Sequence, residues 1–236
     1  MIRLDKYLAD MGVGTRSQVK QFIKKGQIQI NGEIQKRPET KLDIAKDKVS
    51  FQGEEISYQE YVYYILHKPA GYVSAVKDNL YPTVLSLIDN PQGFQLFPVG
   101  RLDLDTEGLL LITNDGTLAH ELLSPKKHVE KTYYARIDGK ITEEDQRHFA
   151  EGLDIGDEKD TLPAKLEILK SGEKSEITVT ITEGRYHQVK RMFEAVGKKV
   201  TYLKRLQMGR LKLEETLEPG TYRALTEEEI RLLKER

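Results

Sequence analysis

Gly100-Arg101-Leu102-Asp103-Leu104-Asp105-Thr106-Glu107-Gly108 runs directly into Leu109-Leu110-Leu111-Ile112-Thr113-Asn114-Asp115-Gly116. Acidic side chains thus stand between a glycine and four consecutive apolar residues. An apolar run bounded by Gly108 and by the Asp115-Gly116 turn reads as a buried strand. Carboxylates are rare against such a segment unless something pairs with them or uses them, so Asp103 needs an explanation. Were the stretch extended, residues 103 and 105 would share one face. Two carboxylates on one face suggest a divalent-metal site, as in a phosphodiesterase or phosphatase, although magnesium sites usually recruit further acids. A lone reactive aspartate beside Arg101 is the sharper reading, and a surface loop with ordinary ion pairs the plainer one. Spacing alone leaves all three open.

The chain has 236 residues, enough for one large domain or two unequal ones. It contains no cysteine, which excludes disulfides, thiolate zinc sites and cysteine nucleophiles. None of the five histidines (His67, His120, His128, His148, His187) stands at i, i+4 from another, the spacing of a helical metal site. No apolar run approaches a membrane span, and no signal-peptide stretch opens the chain. A soluble, cytoplasmic protein is expected, monomeric by default. The net charge of −1 argues against a nucleic-acid binder, but its distribution argues the other way. Between Arg16 and Arg37 lie six basic residues (Arg16, Lys20, Lys24, Lys25, Lys36, Arg37) and one acid, Glu33. Between Arg185 and Lys212 lie nine basic residues and one acid, Glu194, while compensating acid gathers in Glu143 to Asp160 and near the C-terminus. Two such islands read as footprints for phosphate, because local potential steers encounter more than net charge does.

Leu4, Tyr7, Leu8 and Met11 repeat at helical spacing, which predicts an amphipathic helix ended by Gly12 and Gly14. Thr15-Arg16-Ser17-Gln18 is a capping box opening a second helix, with Val19, Phe22 and Ile23 inward and Gly26 as its stop. Arg16, Lys20 and Lys24 stack on its other face. Ile28 and Ile30 form a strand turned by Asn31-Gly32; Val49 and Phe51 form another, and the polar stretch Glu54 to Glu60 reads as a linker.

Beyond it, strands are expected over residues 61–66, 96–99, 109–113, 131–137, 166–169, 177–181, 200–203 and 211–213. Helices are expected at 83–88, from Leu118 to before Ser124, from the Thr142/Asp145 cap to Gly152, over 189–196 and after the Thr226/Glu229 cap. Strands and helices mix without a regular βαβ rhythm. The expected fold class is therefore α+β, with a small N-terminal domain (1–58) and a larger domain (59–236) on a mainly antiparallel sheet. Within the larger domain, Arg185 follows Gly184 just before a helix, and Tyr133 sits on a strand, where a tyrosine is more often core than stacking platform.

Arg3-Leu4-Asp5-Lys6-Tyr7-Leu8, Thr15-Arg16-Ser17-Gln18-Val19 and Gly26-Gln27-Ile28-Gln29-Ile30-Asn31-Gly32 together resemble the S4-like (alpha-L) RNA-binding domain. That resemblance implies that Arg16, Lys20, Lys24 and Lys25 face RNA backbone, contacts that position a protein but carry little sequence information. Further on, Lys68-Pro69-Ala70-Gly71, Gly100-Arg101-Leu102-Asp103 with Asp105-Thr106-Glu107-Gly108-Leu109-Leu110, and Lys131-Thr132-Tyr133 occur in order. Gly184-Arg185-Tyr186-His187-Gln188-Val189-Lys190-Arg191 and Leu203-Lys204-Arg205 with Gly209 follow. This succession resembles the motifs of the pseudouridine synthases, specifically the RsuA-type branch that modifies bacterial ribosomal RNA.

The resemblance implies isomerisation of uridine: the bond from C1′ to N1 breaks, the uracil turns, and C5 bonds to C1′. Nothing is gained or lost, so neither cofactor nor metal is expected. Asp103 would be the catalytic aspartate, attacking C1′ or removing a proton from C2′. By the same analogy Arg185 would pair with Asp103 and favour its ionised form. Tyr133 would stack on the uracil, Leu203 would pack beneath it, and Arg101 would fill the gap left by the flipped nucleotide. Lys68, His187, Lys190, Arg191, Lys204 and Arg205 would contact RNA. Lys190 stands where arginine is usual in the motif, which keeps the charge and loses the bidentate fork. With one S4-like module and no long basic tail, the chain most resembles members acting on small-subunit (16S) ribosomal RNA, free or in an assembly intermediate. Activity on the large-subunit 23S RNA and a non-catalytic assembly factor are the alternatives.

Overall fold

The structure, a computed structural model, describes residues 1–90 and 93–235. The chain forms two compact units, one of Met1–Val62 with Asp89–Gln95 and the other of Tyr63–Ile88 with Leu96–Arg236. Among the described residues no helix is long and apolar enough to cross a membrane.

In the first unit, strand β1 (Ile2–Arg3) leads into helix α1 (Leu4–Asp10), which buries Leu4, Tyr7 and Leu8. Helix α2 (Arg16–Lys24) begins with the expected box: the Thr15 hydroxyl accepts the Gln18 amide, and the Gln18 side chain accepts the Thr15 amide at 2.9 Å. Val19 and Ile23 are buried, while Arg16, Lys20, Lys24 and Lys25 are exposed. Strands β2 (Ile28–Ile30) and β3 (Glu33–Ile34) are joined through Asn31 and Gly32, whose φ of 53° and 86° suit a tight hairpin. β4 (Lys41–Leu42) pairs with β1. β5 (Val49–Phe51) and β6 (Glu54–Ile56) complete an antiparallel sheet in the order β3-β2-β5-β6. The expected linker therefore begins as a strand. Gln52 and Gly53, with φ of 54° and 90°, make a second hairpin turn, and an edge strand tolerates its glutamates.

The second unit is built on a mixed sheet. Its strands are β7 (Tyr63–Lys68), β8 (Phe97–Val99), β9 (Glu107–Thr113), β10 (Lys131–Asp138), β11 (Lys165–Lys170), β12 (Lys174–Ile181), β13 (Lys199–Met208), β14 (Leu211–Lys212) and β15 (Tyr222–Ala224). The order is β11-β12-β10-β13-β9-β7-β15, with β14 beside β13 and β8 beside β9. The long strand β13 runs well past the expected stop at residue 203, and β15 has no counterpart in the sequence reading. Helix α3 (Gly116–Leu123) is capped by Asp115, which also accepts the Tyr63 hydroxyl at 2.7 Å. Its Leu118, Ala119 and Leu122 pack with Ile65, Val99, Leu109 and Leu111, and with Leu233 of α6 (Glu227–Lys234). Helices α4 (Glu143–Glu151) and α5 (Gln188–Ala195) meet through Phe149 and Phe193, ring centroids 4.8 Å apart.

Among the described residues, every strand pairing of this sheet is antiparallel except one. β9 and β13 run parallel through Lys204↔Glu107 and Arg205↔Gly108, so two antiparallel halves meet along a two-residue seam. Gly108 makes the approach possible. A Cβ there would lie 2.2 Å from the Arg205 carbonyl oxygen and 2.6 Å from its nitrogen, and φ is +107°. Gly108→Ala is expected to lower stability by about 3 kcal/mol or more, combining overpacking with a disfavoured backbone. A thermal midpoint unchanged from the parent would refute the seam's role.

Candidate active site

The Asp103 loop is held by its backbone. Ser74 Oγ accepts the Leu102 amide and donates to the Leu102 carbonyl, both at 3.0 Å. Gly71 N donates to Leu104 O at 2.8 Å, and Thr106 N to Asp103 O at 3.1 Å. Behind the loop lies Lys68 at the end of β7, fully buried, its ammonium donating to the carbonyls of Thr106 (2.7 Å), Asp103 (2.9 Å), Pro69 (3.1 Å) and Leu104 (3.4 Å). Burial pulls the Lys68 ammonium down to about 8 against the attraction of Asp103, Asp105 and Glu107. Expected to contact RNA, Lys68 instead braces the loop from inside, because carbonyls that converge in a dry place need a multi-proton donor.

The carboxylate itself meets the start of α5. Lys190 Nζ lies 3.1 Å from Asp103 Oδ2, and His187 Nε2 lies 3.5 Å from Oδ1. Lys190 also reaches Asp105 at 2.6 Å. For Asp105, burial works to raise the carboxyl, but the hydrogen bond and charge of Lys190 hold it below the usual range. Burial opposes the charge on Lys190 too, and the two carboxylates overcome this and raise it. The metal-site reading loses its ground here, since a lysine ammonium already bridges the two aspartates. His187 adopts a left-handed backbone (φ 49°) and stacks on Tyr186 with centroids 3.8 Å apart.

Arg185 does not pair with Asp103. Its Nε donates to Glu183 at 3.0 Å, Nη1 to the Lys159 carbonyl at 2.5 Å and Asp157 at 3.4 Å, and Nη2 to the Asp160 carbonyl at 2.7 Å. Arg191 joins the same clamp, with Nη2 2.6 Å from Asp157 and bonded to the Ile155 carbonyl. The acidic loop after α4 offers planar, bidentate geometry that suits guanidinium, whereas Asp103 is met by the point charge of Lys190. The partner of Asp103 is therefore Lys190, five residues beyond the expected Arg185.

Facing the carboxylate is a cavity of about 390 Å³. Its floor comes from one face of the sheet: Lys131 and Tyr133 alternate on β10, and Tyr133 and Ala135 stand opposite Arg205 and Leu203 on β13. Tyr133 and Leu203 are nearly buried, and Arg101 is exposed at the rim. Arg205, expected on an RNA-facing surface, is only 2 % exposed and donates through Nε to Leu109 O at 2.7 Å. Alternation sends it inward with Leu203, and sends Lys204 to the opposite face, away from the cavity. Sequence reasoning passed over Ser74, Thr106, Lys131 and Glu183. Lys131 alone had a signal, its i, i+2 spacing to Tyr133 on a strand.

A model of the RNA pseudouridylate synthase family matches residues 62–195, and one of the S4 domain matches residues 2–49. An uncharacterised RNA pseudouridine synthase of Bacillus subtilis is 48 % identical over 99 % of both chains. Ribosomal small subunit pseudouridine synthase A of Vibrio parahaemolyticus is 43 % identical, covering 97 % of this chain and 98 % of its own. The Escherichia coli protein of that name is 40 % identical at the same coverage. A crystal structure of a pseudouridylate synthase superimposes with a TM-score of 0.69 at 42 % identity, over 99 % of this chain and 100 % of the other. On a family match across more than half its length and on these full-length relatives, the chain belongs to the RNA pseudouridine synthases.

Proposed function

We propose that this protein isomerises one uridine of small-subunit (16S) ribosomal RNA to pseudouridine, with Asp103 as its catalytic residue and no cofactor. The observation that carries the reading is the Asp103 carboxylate, pinned through its backbone, paired with Lys190, and open to a cavity floored by Tyr133 and Leu203. The reaction needs Asp103 ionised, the form that pairs with Lys190. Heterolysis of the C1′–N1 bond leaves its electron pair on the uracil. The carboxylate either bonds to C1′ or takes the C2′ proton. After the ring turns, C5 bonds to C1′ as the carboxylate–C1′ bond breaks, or as Asp103 returns the proton to C2′; C5 then loses its proton and N1 gains one. Stacking on Tyr133 would hold the flipped ring, Leu203 would support it, and Arg101 at the rim would occupy the vacated position. Unstacking costs a few kcal/mol, least where the base is unpaired, which favours a loop as target.

In this reading residues 1–58 are the RNA-holding module, with Arg16, Lys20, Lys24 and Lys25 on phosphates, and residues 59–236 are the catalytic domain. His187 and Lys190 are near enough to Asp103 to meet the target nucleotide. Arg185 and Arg191 would meet RNA only by exchanging Asp157 for phosphate. The small-subunit target rests on the names of the Vibrio parahaemolyticus and Escherichia coli relatives, and the protein would act in the cytoplasm as a monomer.

Tritium release from ribosomal RNA carrying 5-tritiated uridine tests the proposal. Release from small-subunit RNA or its assembly particles is expected with the parent and none with Asp103→Asn, at equal RNA affinity. Release from large-subunit RNA alone would move the target, and no release from either would leave an RNA-binding protein. Lys68→Met is expected to slow release by about 10² without weakening binding, the effect of a misplaced reactive group; a parental rate would dismiss the bracing role. Lys20→Glu with Lys24→Glu should weaken binding and flatten the slope of log affinity against log salt by about 1.5. An unchanged slope would clear that face of phosphate contacts.

A further inference from the structure

Two residues lining the cavity that faces Asp103 each carry a polar atom that the fold leaves unsatisfied. Arg205 Nη2 and Thr106 Oγ1 are both buried with no hydrogen-bond partner among the described residues. Both residues line the cavity. Arg205 is 2 % exposed and Thr106 is 1 % exposed, so both side chains are held within the fold. A buried, unpaired guanidinium nitrogen is costly, and such a group in a native fold calls for a partner that arrives later. Lys131 lines the same cavity, two residues from Tyr133 on the same strand face, with its ammonium on the Val129 carbonyl at 2.7 Å. Burial, then the nearby charge of Arg205, pull that ammonium down to about 8. Two cations that repel each other on a cavity floor form a place for negative charge.

We propose that Arg205, Thr106 and Lys131 form a subsite for the carbonyl oxygens of the target pyrimidine, and hold the charge the ring acquires when its glycosidic bond breaks. This rests on the uridine-isomerising reading above. The register of β10 and β13 sets Arg205 directly opposite Tyr133. A ring stacked on Tyr133 is then flanked by Arg205 and Lys131, with Thr106 coming from the loop that carries Asp103. Heterolysis leaves the C1′–N1 electron pair on N1, and conjugation spreads it to O2 and O4. Preorganised donors aimed at those oxygens bind the separated ring more strongly than the intact nucleoside, which is what speeds a bond-breaking step. No atom is exchanged with the protein at this subsite, and the charge returns to neutral when C5 loses its proton and N1 gains one. The subsite also discriminates. Cytosine presents an amino group where uracil has O4, so donors would face donors.

The test uses the full chain and single-turnover tritium release, with RNA affinity measured in parallel. Thr106→Val and Lys131→Met are expected to lower the single-turnover rate by about 10²-fold, the loss seen when one donor to a developing anion is removed. RNA affinity should stay at the parental value. Arg205→Lys, which keeps a cation and avoids emptying the β9–β13 seam, should recover more rate than Arg205→Met. A 2-thiouridine or 4-thiouridine at the target weakens the oxygen acceptor itself. One of the two should slow the parent and add nothing further in Arg205→Lys, the non-additivity of groups in contact. Parental rates in Thr106→Val and Lys131→Met, or thio effects that simply multiply with Arg205→Lys, would overturn the proposal and leave the Arg205 nitrogen and the Thr106 hydroxyl to water. Failure of the parent to release tritium from any ribosomal RNA would instead bring down the underlying function, and the subsite with it.

Discussion

Everything at the site depends on a backbone contact two residues long. Strands β9 and β13 lie parallel only where Gly108 faces Arg205, and no side chain larger than hydrogen fits between them. On one side of that seam is the loop that carries Asp103. On the other are Tyr133, Leu203 and Arg205, the floor of the cavity that Asp103 also lines. The two antiparallel halves are each held by pairings far apart in sequence, and the site exists only once they are joined. Arg205 contributes twice, as the backbone neighbour of Gly108 and through its bond to the Leu109 carbonyl.

A second constraint is electrostatic. Asp103, Asp105 and Glu107 crowd the entrance to β9, and such a cluster would repel itself without compensation. Lys190 meets the carboxylates from the front at 3.1 and 2.6 Å, while Lys68 neutralises the backbone dipoles from behind. The arginines nearby are engaged by the acidic loop, so the charge that reaches Asp103 is a compact ammonium. Lysine at that place in the motif is therefore consistent with its surroundings, since the fork of an arginine would have to serve two aspartates at once.

Features written in neighbouring residues were legible in the sequence. The Thr15/Gln18, Thr142/Asp145 and Thr226/Glu229 boxes each begin a helix where the spacing says, and Asn31-Gly32 turns a hairpin. The fold class and the family were legible as well, because motif order survives without coordinates. What failed was the assignment of partners to cations. Lys68 beside a proline looks like surface, and only the loop folding over it, more than thirty residues away, makes it core. Arg185 is drawn to carbonyls 25 and 26 residues upstream, a pairing that no local pattern encodes. The inward face of Arg205 depended on how far β13 extends, and its apolar periodicity fades before the strand does.

The double anchoring of the Asp103 loop, by Ser74 on one flank and Lys68 beneath, has a consequence for where motion occurs. A backbone tied at residues 102, 103, 104 and 106 leaves the carboxylate little more than rotation about its own side-chain bonds. In the proposed isomerisation, with the aspartate stationary and the ribose tethered by its own strand, the detached pyrimidine would be the part left to turn. On that proposal the architecture resembles a bearing more than a hand: the walls of the cavity, rather than the reach of the aspartate, would govern how readily the ring comes round to present a different atom.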